Sequence, residues 1–361
     1  MFKIIMSPYR RLVLVATTLL CLLLFIFINH KANGDNMPAT SARVAQLFTK
    51  TKTICVGRFL IDVPQEAEVV YGPTYLPWPI TAYPGKGESI DMVVAERLSE
   101  LDAEKAWASG PLLDNDSSVG KIVNGAMPNQ KIVFGVSKGS SRIYRIDSYI
   151  RVNDDLFIQR ADPISSKKDA AVRELNVIAE SLRSRGELEI PTQPGVCIEA
   201  GFVSDHTMPS HEALNIGVRL FEFPDVHLAL SVTKKNAFVE SDALEPRLRQ
   251  AEEMASRSGN TAWYSRIKTL RRGRREIGKW HGFEMLARKP AQAEEGASHE
   301  FVFVSQGEPK NPLLPVLELE FHTGVKENRI GGTNPSVSDD EAVAIWDLLT
   351  GSIRVRPTSA Q

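Results

Sequence analysis

Cysteine is scarce in this chain of 361 residues: there are three, and Cys21 lies inside a hydrophobic N-terminal run. Cys55 and Cys197 remain for the folded part, too few for a thiolate metal cluster or a disulfide-dense scaffold. Charge of one sign is not in excess either. A formal net charge of −1 excludes whole-chain attraction to nucleic acid or to an anionic membrane. No glycine-rich phosphate loop occurs, and no dinucleotide fingerprint follows a predicted strand. His206 and His211 share a loop of turn formers without the helical spacing of a metal pair, and the other histidines are scattered, so no metal or cofactor is expected. One catalytic pattern does occur. Gly135-Val136-Ser137-Lys138-Gly139 fits G-x-S-x-G, but that motif works only where a strand turns sharply into a helix. Its flanks, KIVF and RIYRIDSYI, are both strand-like, so a hairpin turn is expected and no catalytic residue is assigned.

The single long apolar run fixes the expected address. Residues 12–28, LVLVATTLLCLLLFIFI, carry no charge and match a short spanning helix. Lys3, Arg10 and Arg11 before it should hold residues 1–11 in the cytoplasm and send the remainder across. No small-residue cleavage site follows closely, so an uncleaved transmembrane signal anchor is expected in preference to a removed signal peptide. Leu19 and Leu20 stand where a lipoprotein site before Cys21 would need small residues. Either way the folded part is exported, periplasmic, and in the favoured case tethered to the inner membrane.

What the chain has in plenty is internal echo. Residues 170–185 read AAVRELNVIAESLRSR, and residues 341–356 read EAVAIWDLLTGSIRVR. One constant offset matches Ala171 with Ala342, Val172 with Val343, Ser181 with Ser352, Arg183 with Arg354 and Arg185 with Arg356. Leu175/Trp346, Ile178/Leu349 and Leu182/Ile353 keep apolar character. Residues 29–50 read as a polar linker, 51–190 as a first domain and 194–357 as a second, divided where Pro191, Pro194 and Gly195 interrupt regular structure. In the first, KTICVGRFLIDVP reads as one strand, ESIDMVV as a strand running into a helix, and KIVF…IQRAD as a meander turning at 137–141 and 153–155. A closing helix has its apolar face at Val172, Leu175, Ile178 and Leu182. The second repeats this logic, and its last helix starts with an S-x-x-E capping box at Ser338 and Glu341. The expected fold is α+β: two tandem, similarly built domains, each a mainly antiparallel sheet covered by helices.

Three features are surface or bridging candidates. Tyr71, Tyr75, Trp78 and Tyr83 alternate with Pro73, Pro77, Pro79 and Pro84, a stiff aromatic segment that serves either as a partner-binding surface or as a loop over its own sheet. The basic run of Arg266, Lys268, Arg271, Arg272, Arg274, Arg275 and Lys279 is either a hairpin turning at Gly273 with solvated flanks or a rim that steers an acidic partner or touches anionic lipid headgroups. Cys55 and Cys197 are either bonded to each other, as is common after export, or buried separately.

The segments TICVGRFLIDVPQEAEV, PGVCIEAGFVSD and SVSDDEAVAIWDLLTGSIRVRP, in this order, resemble the immunity proteins that pair with class-4 lipase effectors of type VI secretion systems. The resemblance covers residues 51–357, as an N-terminal and a C-terminal immunity domain. It implies a periplasmic protein that clamps one α/β-hydrolase phospholipase and blocks its substrate entrance, with no catalysis of its own. The motifs are structural and assign no contact residues. Two other classes remain: a membrane-anchored periplasmic hydrolase, which needs a catalytic constellation, and a periplasmic chaperone or assembly module with several clients.

Overall fold

The computed structural model describes residues 41–107, 118–137, 140–205, 211–292 and 294–359. The expected spanning segment, most of the linker and His206 lie outside them. Among the described residues no helix is long and apolar enough to cross a membrane.

A short helix α1 (Ala42–Leu47) leads into residues 51–64, which form two strands, not the expected one. β1 (Thr51–Val56) and β2 (Phe59–Pro64) pair antiparallel around a turn at Gly57 and Arg58. Gly57 has φ +60°, and a Cβ there would lie 2.3 Å from Leu214 Cδ2, so conformation and packing both require glycine. The chain continues through β3 (Glu68–Tyr71), β4 (Thr74–Tyr75), β5 (Pro79–Tyr83), α2 (Ile90–Trp107), β6 (Ile122–Asn124), β7 (Gln130–Ser137), β8 (Ser140–Val152), β9 (Asp155–Ala161), α3 (Lys168–Ser181) and β10 (Leu182–Ser184). Where a strand was expected over ESIDMVV, a tight turn at Gly87–Ser89 enters α2 directly. Ile90, Val94 and Leu101 are buried together at helical spacing, and that period outweighs the short apolar run. The expected meander is present as β7, β8 and β9.

The second half contains β11 (Gly195–Ile198), β12 (Gly201–Ser204), β13 (Ala213–Arg219), β14 (His227–Thr233), α4 (Leu244–Arg257), α5 (Thr261–Tyr264), β15 (Lys268–Ile277), β16 (Trp280–Lys289), β17 (Ser298–Ser305), β18 (Val316–His322), α6 (Asp339–Gly351) and β19 (Arg354–Val355). The capping box of α6 is formed: Ser338 Oγ accepts from the Glu341 amide, and the Glu341 carboxylate accepts from the Ser338 amide.

Sheet order shows the duplication. Outward from the middle, the first half runs β4-β5-β9-β8-β7-β6 and the second runs β13-β14-β18-β17-β16-β15. The two orders correspond strand for strand. The halves do not keep separate sheets, however. β13 pairs with β4 and with β3, so one antiparallel sheet passes through both. One apolar core follows it, from Ile61, Ile80 and Phe157 to Phe301, Phe321, Ile345 and Trp346.

The echoed R-x-R phrases explain why the halves are inseparable. Leu182 was expected on the closing helix of the first half, but α3 ends before it, and α6 ends before Arg354. Each phrase becomes a strand that leaves its own half. β10 pairs with β12 of the second half, and β19 pairs with β2 of the first. The arginines anchor these exchanges. Arg185 donates to the Ile198 and Gly201 carbonyls, at 3.1 and 3.2 Å. Arg356 donates to the Gln193 and Gly195 carbonyls, at 2.8 and 2.7 Å. Arg354 meets Asp62 at 2.9 and 3.0 Å, while Arg183 lies 4.9 Å from the Phe202 ring centre. Between the exchanged hairpins, Gly57 and Cys197 trade backbone hydrogen bonds of 2.8 Å, and Cys55 is disulfide-bonded to Cys197 with the Cα atoms 5.8 Å apart.

Candidate functional site

The joined sheet has two unlike faces, as strand alternation requires. On the inner face Leu214, Ile216 and Val218 of β13, Leu228, Leu230 and Val232 of β14, and Leu317, Leu319 and Phe321 of β18 are buried in the core. The outer face is covered only at its ends. α2 closes the first-half end, packing Ile90, Val94 and Leu101 on Val133, Tyr149 and Leu156. α4 lies over the second-half end more loosely. Leu244 is its one buried residue, and Arg247 reaches Glu318 of β18 at 2.7 Å. Between these helices the middle of the face is open.

Small side chains make that middle shallow. Gly217 pairs with Ala229 on one side and with Val70 on the other, and a Cβ on Gly217 would meet nothing within 4 Å. Around the depression stand exposed Val70, Tyr75 and Tyr83. Its charges are mixed. Arg219 faces Glu68 at 3.7 Å, and the His322 hydrogen bond to Glu320 holds that carboxyl below the usual range. Burial, with Arg219 nearby, pushes the His227 imidazole down.

The stiff aromatic segment is divided by the sheet. Tyr75 and Tyr83 point to the open face, and the Tyr75 ring centre is 6.0 Å from that of His211. Trp78 is on the opposite face: its Nε1 donates to Glu174 of α3 at 2.8 Å, and it packs on the Ala171–Leu175 cluster. Trp78 therefore holds a helix in place: it lies in the bend between β4 and β5, outside both strands that carry the two tyrosines.

The basic run is divided in the same way. No turn occurs at Gly273. β15 continues to Ile277 and reverses at Gly278, whose φ is +56°. Alternation sends Arg271 and Arg275 inward, where Arg271 donates to Asp347 at 2.8 Å and Arg275 to Glu284 at 2.9 Å. Burial works against the Arg271 charge, but Asp347 and Glu284 outweigh it and raise its pKa. Arg275 also lies over the Trp346 ring, at 5.6 Å. These two are structural. Arg272 and Arg274 are the exposed pair, with Arg272 reaching Glu252 of α4 at 3.4 Å. Lys138 and Gly139 lie outside the described residues, but Ser137 ends β7 in register with Ser140 of β8, so the motif joins two strands and does not lead a strand into a helix as a nucleophile elbow does. Gly135 of that motif has a packing reason: a Cβ would lie 2.6 Å from Leu101 Cδ2 and 2.7 Å from Arg97 Nη2.

That close approach belongs to a charged group that sequence reasoning missed. Asp147, 1% exposed, receives Nε of Arg97 at 2.9 Å, of Arg160 at 2.9 Å and of Arg145 at 3.1 Å. Arg97 also donates to Glu100. The signal was present in RIYRIDSYI, where Arg145 and Asp147 fall on one face of a strand and Tyr144, Ile146 and Ile150 on the other. Beside this group runs a groove of about 350 Å³, lined by Tyr83, Lys86, Met92, Val93, Leu156 and Ile158.

The chain has relatives of the same fold. The apo structure of the immunity protein TplEi of the T6SS from Pseudomonas aeruginosa is 23% identical, with a TM-score of 0.66, covering 86% of this chain and 99% of that one. The same protein complexed with "L" peptide gives 23% identity and a TM-score of 0.64 over the same shares. The Tle4–Tli4 complex gives 24% and 0.68, again over 86% and 99%. Comparison with curated proteins finds no match. Residues 52–185 match the N-terminal domain, and residues 189–358 the C-terminal domain, of Tle cognate immunity protein 4. This chain belongs to that family, and it is an immunity protein, not an enzyme.

Proposed function

We propose that this protein binds a lipase effector of a type VI secretion system, one to one, and inhibits it by occupying the approach to its active site. The observation that carries this reading is the open outer face, which crosses both halves and is walled by α2 and α4. The fused sheet that carries both walls, its central core and the Cys55–Cys197 bond join the two halves into one body. A preformed surface loses little entropy on docking. A lipase must open a lid or cleft to admit lipid, so a rigid body seated there stops turnover without chemistry of its own.

The same reading places the folded part in the periplasm. The disulfide fits an oxidising compartment, and the uncharged run 12–28 fits an uncleaved anchor in the inner membrane. The test uses the full chain in detergent and a cognate class-4 lipase effector. Hydrolysis of phospholipid vesicles should fall linearly with added protein and vanish at a molar ratio of one. Residual hydrolysis at saturation would contradict steric closure.

A further inference from the structure

The groove beside α2 joins two features that differ from the rest of the outer face. Its floor is apolar, built from Leu156 and Ile158 of β9 next to Tyr83 of β5, and its wall is Met92 and Val93 of α2. Met92 is 66% exposed, far more than a side chain that serves only its own core. The cavity, about 350 Å³, is at the low end of the range for small-molecule sites and suits one large side chain.

Two residues further along the same face of β9, the floor becomes cationic. Arg160 and Arg145 flank Asp147, and among the described residues each bonds through Nε alone. A guanidinium carries five donors, so each keeps its terminal amino groups for another acceptor. Asp147 already serves three arginines, and Glu100 is taken by Arg97. Arg160 is accessible, with 45% of its side chain exposed, whereas Arg145 shows 16%. Lys86 adds a positive charge at the other end of the groove, and Glu96 on the α2 wall is the one acidic lining residue.

We infer that this groove takes a segment of the lipase effector that presents an apolar side chain followed by a carboxylate, the first entering between Met92 and Ile158 and the second bridging Arg160 and Arg145. The spacing suits a helix: positions 158 and 160 of a strand are about 7 Å apart, and an i, i+4 pair on a helix is separated by about 6 Å along the axis. A desolvated guanidinium–carboxylate contact next to an apolar anchor is the usual make-up of an interface hot spot. This inference rests on the proposed lipase partner and narrows where on the outer face that partner is gripped.

The experiment measures affinity of the full chain for a cognate class-4 lipase effector, comparing wild type with Met92→Glu, Arg160→Glu and Arg160→Lys. Unfolding temperature is recorded for each. Met92→Glu and Arg160→Glu should each weaken binding at least about tenfold with little change in unfolding temperature, and Arg160→Lys should keep more affinity than Arg160→Glu. Lysine substituted for the matching acidic residue of the lipase should restore binding to Arg160→Glu. Wild-type affinity in both Met92→Glu and Arg160→Glu would overturn the inference while leaving the lipase partnership intact. Failure of the wild-type chain to bind would remove the partnership and this inference together. If Arg160→Glu lowers the unfolding temperature, Met92→Glu decides alone, since its side chain lies on the surface.

Discussion

Replacing both Cys55 and Cys197 with alanine is expected to lower the unfolding free energy by about 5 kcal/mol on the chain-entropy view of cross-links. The magnitude comes from the separation of 142 residues between the two cysteines, which makes the loop removed from the unfolded ensemble unusually long. In calorimetry this should appear as a fall in unfolding temperature on the order of 10 °C. Burial of both sulfurs means that the native protein should resist reductant until it opens. A double variant that unfolds within about 1 kcal/mol of wild type would show that the cross-link closes a loop already ordered before folding.

The second large effect concerns the halves. Residues 51–190 and 194–361, made separately, should each fail to give a soluble, cooperatively folded protein. The family boundaries cut through every stabilising exchange. Without the second half, β2 loses β19, Gly57 loses its seat on Leu214, and Phe59 loses the Trp280 ring, whose centre is 5.1 Å away. Without the first half, β12 loses β10 and the Ile198 carbonyl loses Arg185. The edges of β13 and β4 would be left as bare templates for aggregation. Co-expression of both pieces under oxidising conditions should restore one complex that migrates as a unit in size-exclusion chromatography. A sharp thermal transition from either piece alone would refute this dependence.

These two cases also show how far the sequence could be read. Repetition of AAVRELNVIAESLRSR as EAVAIWDLLTGSIRVR was legible as duplication, because equal apolar spacing on two helices needs no tertiary knowledge. The destination of the R-x-R tails was not legible. A strand of two or three residues has no period of its own, and only the opposite hairpin gives it partners. The turn at Gly278 was misplaced at Gly273 because both are glycines in a polar setting, and the cross-strand register that separates them is non-local. Tyr75, Trp78 and Tyr83 are neighbours in sequence, but the bend between β4 and β5 puts Trp78 on the inner side, against α3. The open face itself left almost no trace. Gly217, Ala229 and Ser231 read as ordinary strand residues until the sheet places them side by side with nothing above Gly217.

The most direct measurement fills that depression. Gly217→Trp introduces a large side chain where a Cβ has no neighbour within 4 Å and where the backbone is ordinary strand, so the fold should survive unchanged. If the effector seats on the outer face, the variant should keep its wild-type unfolding temperature yet lose inhibition of the cognate lipase by at least about tenfold in affinity. Complete one-to-one inhibition by a folded Gly217→Trp protein would place the lipase elsewhere and contradict the account.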